Sequence, residues 1–408
     1  MSFENLILIM KRSKHFNVVM LSTAEWDNPF WTNKQHTASA LADLGYRVLY
    51  IESLGLRRPT IRSRDGFRIV KRLIKAFTSP KPVRKNIWVW SPLVIPSSSN
   101  CIARSLNKFI FTISLSLIRF VLNFRSSVLW TYNPLTRIYL ELSEFVATIY
   151  HCVDEISEQP GMNSQFIQLE EKNLCSLVDH VFVTSTTLLQ SRSALTSRIS
   201  YYPNVVDNSH FSESNAKLSP FPEEYQHING PRLLFVGAIS SYKVDFDLIR
   251  NVALSRPNWS IVLIGLIGEG EPGTDISLLK NLKNVYFLGP KPYKMLPSYM
   301  YHAHVGLLPC LINSYTKSMF PMKFFEYLSV GIPVVSTRLP SLVDFEQCFL
   351  SADSTPEFID CIQLALDNKS IIDFNHVKGI TARYTYISRT LEMTSTIKNI
   401  LSRKFGFA

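Results

Sequence analysis

Short apolar runs alternate with helix-like stretches along most of the chain. The run from Asn17 to Thr23 predicts a strand, Asn33 to Leu44 has helical periodicity and ends at Gly45, and Arg47 to Ile51 predicts a second strand. This strand, loop, helix, strand order opens a doubly wound parallel sheet, in which ligands approach the loops at the carboxyl ends of the strands. The first loop, which contains Asp27, is therefore expected to face a substrate.

The alternation continues in two blocks separated by a polar stretch. The first block has further predicted strands at residues 87–90, 128–131, 147–152, 180–184 and 199–202. The second has predicted strands at residues 232–236, 260–264, 285–288, 305–308 and 334–336. A chain of 408 residues also exceeds the usual size of one core. We therefore predict an α/β protein with two doubly wound, Rossmann-like domains facing a cleft. They are residues 1–207 and 231–383, with a linker at 208–230 and a helix at 384–408 that packs back on the first domain.

Composition indicates a globular protein in a reducing compartment. The chain is 46% apolar and 18% charged, and its six cysteines are scattered without a disulfide or zinc-site spacing. The apolar run from Leu6 to Met10 is too short for a signal sequence. The longest lipophilic stretch, Phe109 to Leu122, contains Arg119 and is shorter than the roughly 20 apolar residues of a membrane span. We expect a cytoplasmic protein that binds peripherally at the inner face of the cell membrane.

Positive charge is concentrated in one segment. Between Arg57 and Arg125 there are fifteen Lys or Arg residues and a single acid, Asp65. Such a field suits an anionic lipid surface, a phosphate-bearing substrate or nucleic acid, and it also fits a solvated basic face. No recognised nucleic-acid-binding motif accompanies the charge, so we expect no nucleic-acid partner.

A first candidate for phosphate binding follows a predicted strand. Gly237 ends that strand, and Lys243 stands six residues later, in the sequence VGAISSYK, before a helix that starts near Asp245. Backbone amides and an ammonium that meet beside a helix N-terminus suit a diphosphate. An exposed lysine in a βα loop would look the same in sequence.

A stronger candidate is the segment from Pro321 to Thr337, PMKFFEYLSVGIPVVST. Lys323 and Glu326 are three residues apart and lie on one face of the predicted helix, which Gly331 ends. At the cleft end of that helix a carboxylate accepts ribose hydroxyls while a lysine faces phosphate. A surface ion pair fits the two residues when they are considered alone.

This segment resembles the P-x-K-x-x-E-Y-L-x-x-G-x-P-V-V motif of GT-B glycosyltransferases related to family 4, in particular the teichuronic acid biosynthesis glycosyltransferase group. Other blocks resemble that group in the same order, at residues 27–52, 150–155, 203–211, 236–249 and 284–309. The resemblance covers nearly the whole chain apart from the basic stretch. It implies that Lys243 binds the donor diphosphate, that Glu326 binds the donor ribose, and that the backbone around Pro292 contacts the base. Many family 4 enzymes carry a second acid eight residues before the ribose glutamate, and here that position is Ser318.

Four residues are candidates for the catalytic centre. His151 ends a predicted strand at a position where family 4 enzymes often have a histidine near the transferred sugar, and as a group that titrates near neutrality it suits a polar catalytic role. Asp154 follows in the same loop, and Asp27 and His36 come from the first loop and its helix. A satisfied strand-end histidine and helix-capping acids remain alternatives.

The resemblance implies transfer of a hexosyl group from a nucleoside diphosphate sugar to a glycan or lipid-diphosphate acceptor, in bacterial surface polysaccharide synthesis and with retention of configuration. We expect no cofactor and no metal, because Lys243 and Lys323 can neutralise the diphosphate and no Asp-x-Asp motif stands out.

A sugar-nucleotide 2-epimerase on the same scaffold and a non-catalytic sugar-nucleotide-binding protein remain alternatives. A dehydrogenase is disfavoured because the first loop lacks the required glycine spacing.

Overall fold

The structure is a computed structural model that describes residues 16–28, 31–54, 79–92, 101–124, 126–367 and 372–406. The run Leu6–Met10 and nine of the fifteen basic residues between Arg57 and Arg125 lie outside these residues. The described strands are β1 Asn17–Leu21, β2 Val48–Ile51, β3 Lys81–Arg84, β4 Ile87–Trp90, β5 Ser127–Thr131, β6 Ala147–Cys152, β7 His180–Val183, β8 Ile199–Tyr201, β9 Arg232–Val236, β10 Ser260–Ile264, β11 Val285–Gly289, β12 Val305–Leu308, β13 Val334–Thr337 and β14 Leu350–Ala352. The described α-helices are α1 Asn33–Asp43, α2 Cys101–Val121, α3 Thr136–Tyr139, α4 Ser164–Leu177, α5 Thr186–Ser193, α6 Asn208–Phe211, α7 Glu213–Lys217, α8 Phe246–Ser255, α9 Ser277–Lys280, α10 Leu296–Tyr301, α11 Ser314–Ser318, α12 Lys323–Val330, α13 Thr355–Leu366, α14 Phe374–Arg383 and α15 Tyr386–Phe405.

The N-terminal sheet has eight strands in the order β3-β4-β2-β1-β5-β6-β7-β8. All neighbours are parallel except β3, which runs antiparallel to β4 at one edge. Strands β2, β5 and β6 are buried along their whole length and β1 is buried from Val18 onward, as expected when helices cover both faces of a parallel sheet. The order reverses between β1 and β5, so the loop after β1 opens at the point where ligands of doubly wound sheets bind.

The C-terminal sheet has six parallel strands in the order β11-β10-β9-β12-β13-β14. Its order reverses between β9 and β12, so the loops after these two strands meet at its carboxyl edge. Buried aromatic side chains of α12 pack beneath this edge, and the Tyr327 hydroxyl accepts the Val236 amide at 2.8 Å. The prediction of two doubly wound sheets from the strand pattern is confirmed.

Residues 208–230, which the sequence predicts as a polar linker, are folded. They form α6, α7 and a 3-10 helix at Glu223–His227, and they bury Phe211, Tyr225 and Ile228 in the core of the C-terminal sheet. Each element is only about one turn long, so its few apolar residues show no helical periodicity in the sequence.

The C-terminal helix α15 packs on the N-terminal sheet, where Met393 and Ile397 join the core beside β6. The Arg389 guanidinium, which is 4% exposed, donates to Asn33 Oδ1 at 2.8 Å, to Thr37 Oγ1 at 3.0 Å and to the Pro203 carbonyl at 3.2 Å. These bonds tie α15 to the start of α1. They also leave a buried positive charge close to the cleft.

Candidate active site

The loops after β9 and β10 approach each other closely at the carboxyl edge of the C-terminal sheet. The Gly237 amide donates to the Ile264 carbonyl at 2.9 Å. A Cβ atom at Gly265 would lie only 1.7 Å from the Gly237 carbonyl oxygen, so no side chain fits there. The Asp245 amide donates to the Pro309 carbonyl at 2.8 Å and joins this edge to the loop after β12. Gly237 and Gly265 leave the backbone without side chains at this point of the edge, and phosphate often approaches backbone amides at glycines.

Lys243 lies in the turn between β9 and α8. Its ammonium nitrogen is 5.1 Å from the ring centroids of both Tyr242 and Tyr315. Burial disfavours the charged form, but the two tyrosines and Asp154 favour it more, so the pKa of Lys243 is raised. The lysine therefore remains charged in a partly buried position, where its attraction for an anion is much stronger than in water.

Asp154 approaches this lysine from the N-terminal half of the chain. The Tyr315 hydroxyl, on α11, donates to Asp154 Oδ1 at 3.2 Å, and the Ser185 hydroxyl donates to the Ser318 carbonyl at 2.8 Å. Helix α11 thus holds the loops after β6 and β7 against the C-terminal half. Position 318 carries a serine and no carboxylate, and Asp154 places a carboxylate near Lys243 from the N-terminal half.

His151 is the penultimate residue of β6 and is fully buried. The Trp130 indole N–H donates to His151 Nδ1 at 3.3 Å, and the Tyr132 ring stacks on the imidazole at a centroid distance of 4.8 Å. Burial, together with Arg389 and Lys34, lowers the pKa of His151 well below its ordinary value. The prediction that it titrates near neutrality is therefore wrong. The ring is neutral and carries its proton on Nε2, which has no hydrogen-bond partner among the described residues.

Lys323 and Glu326 lie on one face of α12, with Lys323 Nζ 2.5 Å from Glu326 Oε2. The Glu326 side chain is 4% exposed, and burial raises its pKa although Lys323 opposes this. In the described part of the chain nothing donates to the second carboxylate oxygen, Oε1. That oxygen is available to accept hydroxyl groups from a ligand.

Aromatic rings line the cleft near Glu326. The Tyr293 ring stacks on His210 at a centroid distance of 4.4 Å and an angle of 15°. Trp31, from the N-terminal half, stacks on the Tyr293 ring at a centroid distance of 6.4 Å and an angle of 26°, and the His36 ring lies 5.4 Å from it. Pro292, which immediately precedes Tyr293, is exposed at this rim. Flat rings from both halves suit a nucleobase at this end.

The predicted catalytic residues divide between two ends of the cleft. His151 and Asp154 lie at the Lys243 end. His36 is buried at the other end, where burial and Lys323 lower its pKa to about 3, so it is not a titrating partner of His151. Asp27 is exposed on the first loop, and the structure does not bring it into either buried group.

Sequence reasoning missed Lys34, Trp31 and Tyr315. A lone lysine in the first turn of a helix and single aromatic residues carry no distinctive spacing, so only the fold brings them to the cleft. Within the described residues, no group of three or more His, Cys, Asp or Glu side chains could hold a metal ion.

Comparisons with known proteins identify the family. Residues 230–368 match the family model of the glycosyl transferases group 1. The Bacillus subtilis protein TuaH, named as a candidate teichuronic acid biosynthesis glycosyltransferase, is 30% identical over 273 residues, which are 62% of this chain and 67% of TuaH.

Solved structures agree on the fold. Sucrose-phosphate synthase from Thermosynechococcus elongatus has a TM-score of 0.69 at 14% identity, over 95% of this chain and all of that chain. Anabaena HepE in complex with UDP has a TM-score of 0.64 at 13% identity, over 95% of this chain and all of that chain. The E. coli trehalose-6-phosphate protein bound with UDP-2-fluoro glucose has a TM-score of 0.67 at 13% identity, over 94% of this chain and 99% of that chain. The fold class and the family resemblance predicted from sequence are confirmed: the chain has the GT-B fold and belongs to the group 1 glycosyltransferases.

Proposed function

We propose that this enzyme transfers a hexosyl group from a nucleoside diphosphate sugar to a glycan or lipid-linked acceptor in bacterial surface polysaccharide synthesis. The observation that carries the proposal is the arrangement of Lys243 and the buried Glu326 carboxylate in one cleft, at the edge where the order of the C-terminal sheet reverses. The UDP and UDP-sugar in the HepE and E. coli structures support this class of donor. The name of TuaH supports the type of product.

We propose one orientation of the donor along the cleft, from the Glu326 end to the Lys243 end. Its base would lie beside Tyr293 at the Pro292 rim, its ribose hydroxyls would reach Glu326, and its diphosphate would meet Lys243 and the amides near Gly237. The acceptor would then enter from the N-terminal half. We propose no metal cofactor, because the lysines supply the positive charge that the diphosphate requires.

The transfer step needs no protein nucleophile if configuration is retained. The bond from the anomeric carbon to the β-phosphate oxygen breaks as the acceptor oxygen bonds that carbon, and the acceptor proton passes to the leaving diphosphate. Lys243 stabilises the charge that develops on the leaving group. The neutral His151 donates from Nε2 to an oxygen of the sugar, and Asp154 orients a hydroxyl. Closure of the cleft excludes water and limits donor hydrolysis.

Product analysis tests this reaction against the alternatives. The protein is incubated with UDP-, GDP-, ADP- and CMP-hexoses, with and without a membrane lipid extract from a Gram-positive bacterium. Transfer predicts a glycosylated product and a free nucleotide only when an acceptor is present. A 2-epimer formed without acceptor supports the epimerase, and nucleotide binding without either product supports a non-catalytic binding protein.

Replacing Glu326 by alanine should abolish recognition of the ribose. The wild type should bind UDP more tightly than 2′-deoxy-UDP, whereas Glu326→Ala should bind both equally and about 10–100-fold more weakly than the wild type binds UDP, because a buried carboxylate no longer accepts the hydroxyls. Isothermal titration calorimetry measures the four affinities. If UDP is not the cognate nucleotide, the GDP or ADP pair replaces it.

An exposed glutamate provides the matched control for this substitution. Glu223 is exposed in the 3-10 helix before β9, and Glu223→Ala should bind like the wild type. Equal discrimination by the wild type and Glu326→Ala would contradict the assignment of Glu326 to the ribose.

A lipid-linked acceptor is supported by the outer face of α2. This 21-residue helix presents a continuous apolar stripe with helical spacing to solvent. The stripe consists of Ile102, Leu106, Phe109, Ile113, Leu117, Phe120 and Val121, whose exposed fractions range from 44% to 74%. No helix in the described ranges is long and apolar enough to cross a membrane. We propose that α2 lies in the plane of an anionic bilayer, with the basic stretch of the same half as its electrostatic partner.

Acidic substitutions on this stripe should remove vesicle binding. Phe109→Glu combined with Leu117→Glu should lower binding to phosphatidylglycerol-containing vesicles by about tenfold or more at low salt, because two exposed apolar side chains that would enter the bilayer interface are replaced by negative charges. Vesicle sedimentation measures binding, and donor affinity should not change. The matched control is Leu254→Glu with Leu364→Glu, two exposed leucines of α8 and α13. Equal binding by the stripe and control variants would rule out α2 as the membrane face.

A further inference from the structure

A second lysine, Lys34, lies at the Lys243 end of the cleft and comes from the N-terminal half of the chain. Lys34 stands in the first turn of α1 and is only 9% exposed. Its ammonium lies 5.8 Å from the centroid of the Tyr132 ring, which in turn stacks on His151. The lysine therefore points inward to the group that contains Asp154 and Lys243, not outward to solvent.

The Lys34 ammonium lacks the partner that a buried charge normally has. No carboxylate oxygen lies within 4.0 Å of it and no hydrogen bond engages it among the residues the structure describes. Burial lowers its pKa, Asp154 opposes this effect and Lys243 adds to it. The one carboxylate of the group is already bonded to Tyr315. A buried ammonium in this position costs free energy unless an anion joins it.

The surrounding groups supply more donors than acceptors. Two ammonium groups, Lys34 and Lys243, both interact electrostatically with one carboxylate, Asp154. His151 lies within electrostatic range of Lys34, and its Nε2–H has no partner among the described residues. The helix dipole of the eleven-residue α1, whose first turn holds Lys34, adds positive potential. A ligand with two or more negative charges and several acceptor oxygens satisfies this set, and a diphosphate has both properties.

We propose that Lys34 is a second diphosphate-binding cation, supplied across the cleft by the N-terminal half. The inference rests on the proposed function, because it takes the diphosphate to be that of the sugar-nucleotide donor. Lys243 binds the diphosphate from one side and Lys34 from the other, so the diphosphate links the two halves. A nucleoside alone contacts the Glu326 end and does not need Lys34.

The test compares a nucleoside diphosphate with its nucleoside. UDP, GDP and ADP are first titrated into the wild type by calorimetry, and the diphosphate that binds is then titrated, with its nucleoside, into Lys34→Met, Lys34→Arg and Lys317→Met. Lys317 is exposed on α11 and is the matched control. Lys34→Met should bind the diphosphate about tenfold or more weakly than the wild type, with nucleoside affinity unchanged. Lys34→Arg should recover most of the diphosphate affinity, and Lys317→Met should equal the wild type.

Thermal unfolding without ligand separates this role from a structural one. Removal of an unpaired buried charge should leave the Tm of Lys34→Met unchanged or raise it. Unchanged diphosphate affinity, or equal losses for diphosphate and nucleoside together with a lower Tm, would overturn the inference while the proposed function stands. Failure of the wild type to bind any of the three diphosphates would instead refute the proposed function and the inference with it.

Discussion

Replacing Lys243 by methionine should lower the rate of sugar transfer by about 10²–10³-fold, the usual cost of removing a group that stabilises charge on a leaving group. Methionine keeps much of the length of the side chain between Tyr242 and Tyr315, so the packing changes little. The loss should appear in kcat as well as in donor affinity, because negative charge on the diphosphate increases as the glycosidic bond breaks. Steady-state kinetics with the cognate donor and acceptor measure both quantities.

The exposed Lys317, on neighbouring α11, again provides the control. Lys317→Met changes the net charge by the same amount at the surface and should retain wild-type kinetics. A Lys243→Met enzyme with wild-type kcat would show that Lys243 does not act on the leaving group.

Replacing Arg192 by methionine should lower the free energy of unfolding by about 3–5 kcal/mol, because it leaves the buried Glu171 carboxylate and the largely buried Glu155 carboxylate without their cation. Arg192 is 8% exposed, and its guanidinium lies 2.5 Å from Glu155 Oε2 and 2.8 Å from Glu171 Oε2. The Tyr150 hydroxyl donates to Glu171 Oε1 at 2.7 Å, so the network also anchors β6. Urea denaturation followed by circular dichroism measures the loss.

Two variants make this result specific. The triple change Arg192→Met, Glu155→Gln and Glu171→Gln removes all three charges and should recover part of the lost stability. Arg198→Met, an exposed arginine nearby, should stay within about 1 kcal/mol of the wild type. A loss below about 1 kcal/mol in Arg192→Met would mean that water reaches the network and screens it.

The strands were predictable because their apolar runs are buried on both faces. Twelve of the fourteen described strands match the predicted residues or differ from them by at most two residues at either end. The two exceptions, β3 and β14, are informative. Strand β3, Lys81–Arg84, is exposed along its length and contains a proline, so it has no apolar pattern to detect. Strand β14 has three residues and pairs at an edge. The folded segment at 208–230 escaped because its helices are each about one turn long.

The Glu326 end of the cleft was predictable because its residues also lie in a regular element. Lys323 and Glu326 sit on one regular helix between a proline and a glycine, so sequence spacing fixes their common face. The Lys243 end of the cleft was less predictable from the sequence. The prediction placed His151 correctly near the carboxyl end of β6, one residue before the strand ends, but its neutral state depends on burial beside Trp130 and Arg389, which only the fold creates.

The most direct test of the central claim is a crystal structure of the wild type with its cognate nucleoside diphosphate. We predict the diphosphate within hydrogen-bond distance of Lys243 Nζ, the ribose hydroxyls on Glu326 and the base beside Tyr293. A nucleotide bound elsewhere, such as on the basic N-terminal segment with the Lys243 and Glu326 cleft empty, would contradict the assignment of this cleft as the donor site.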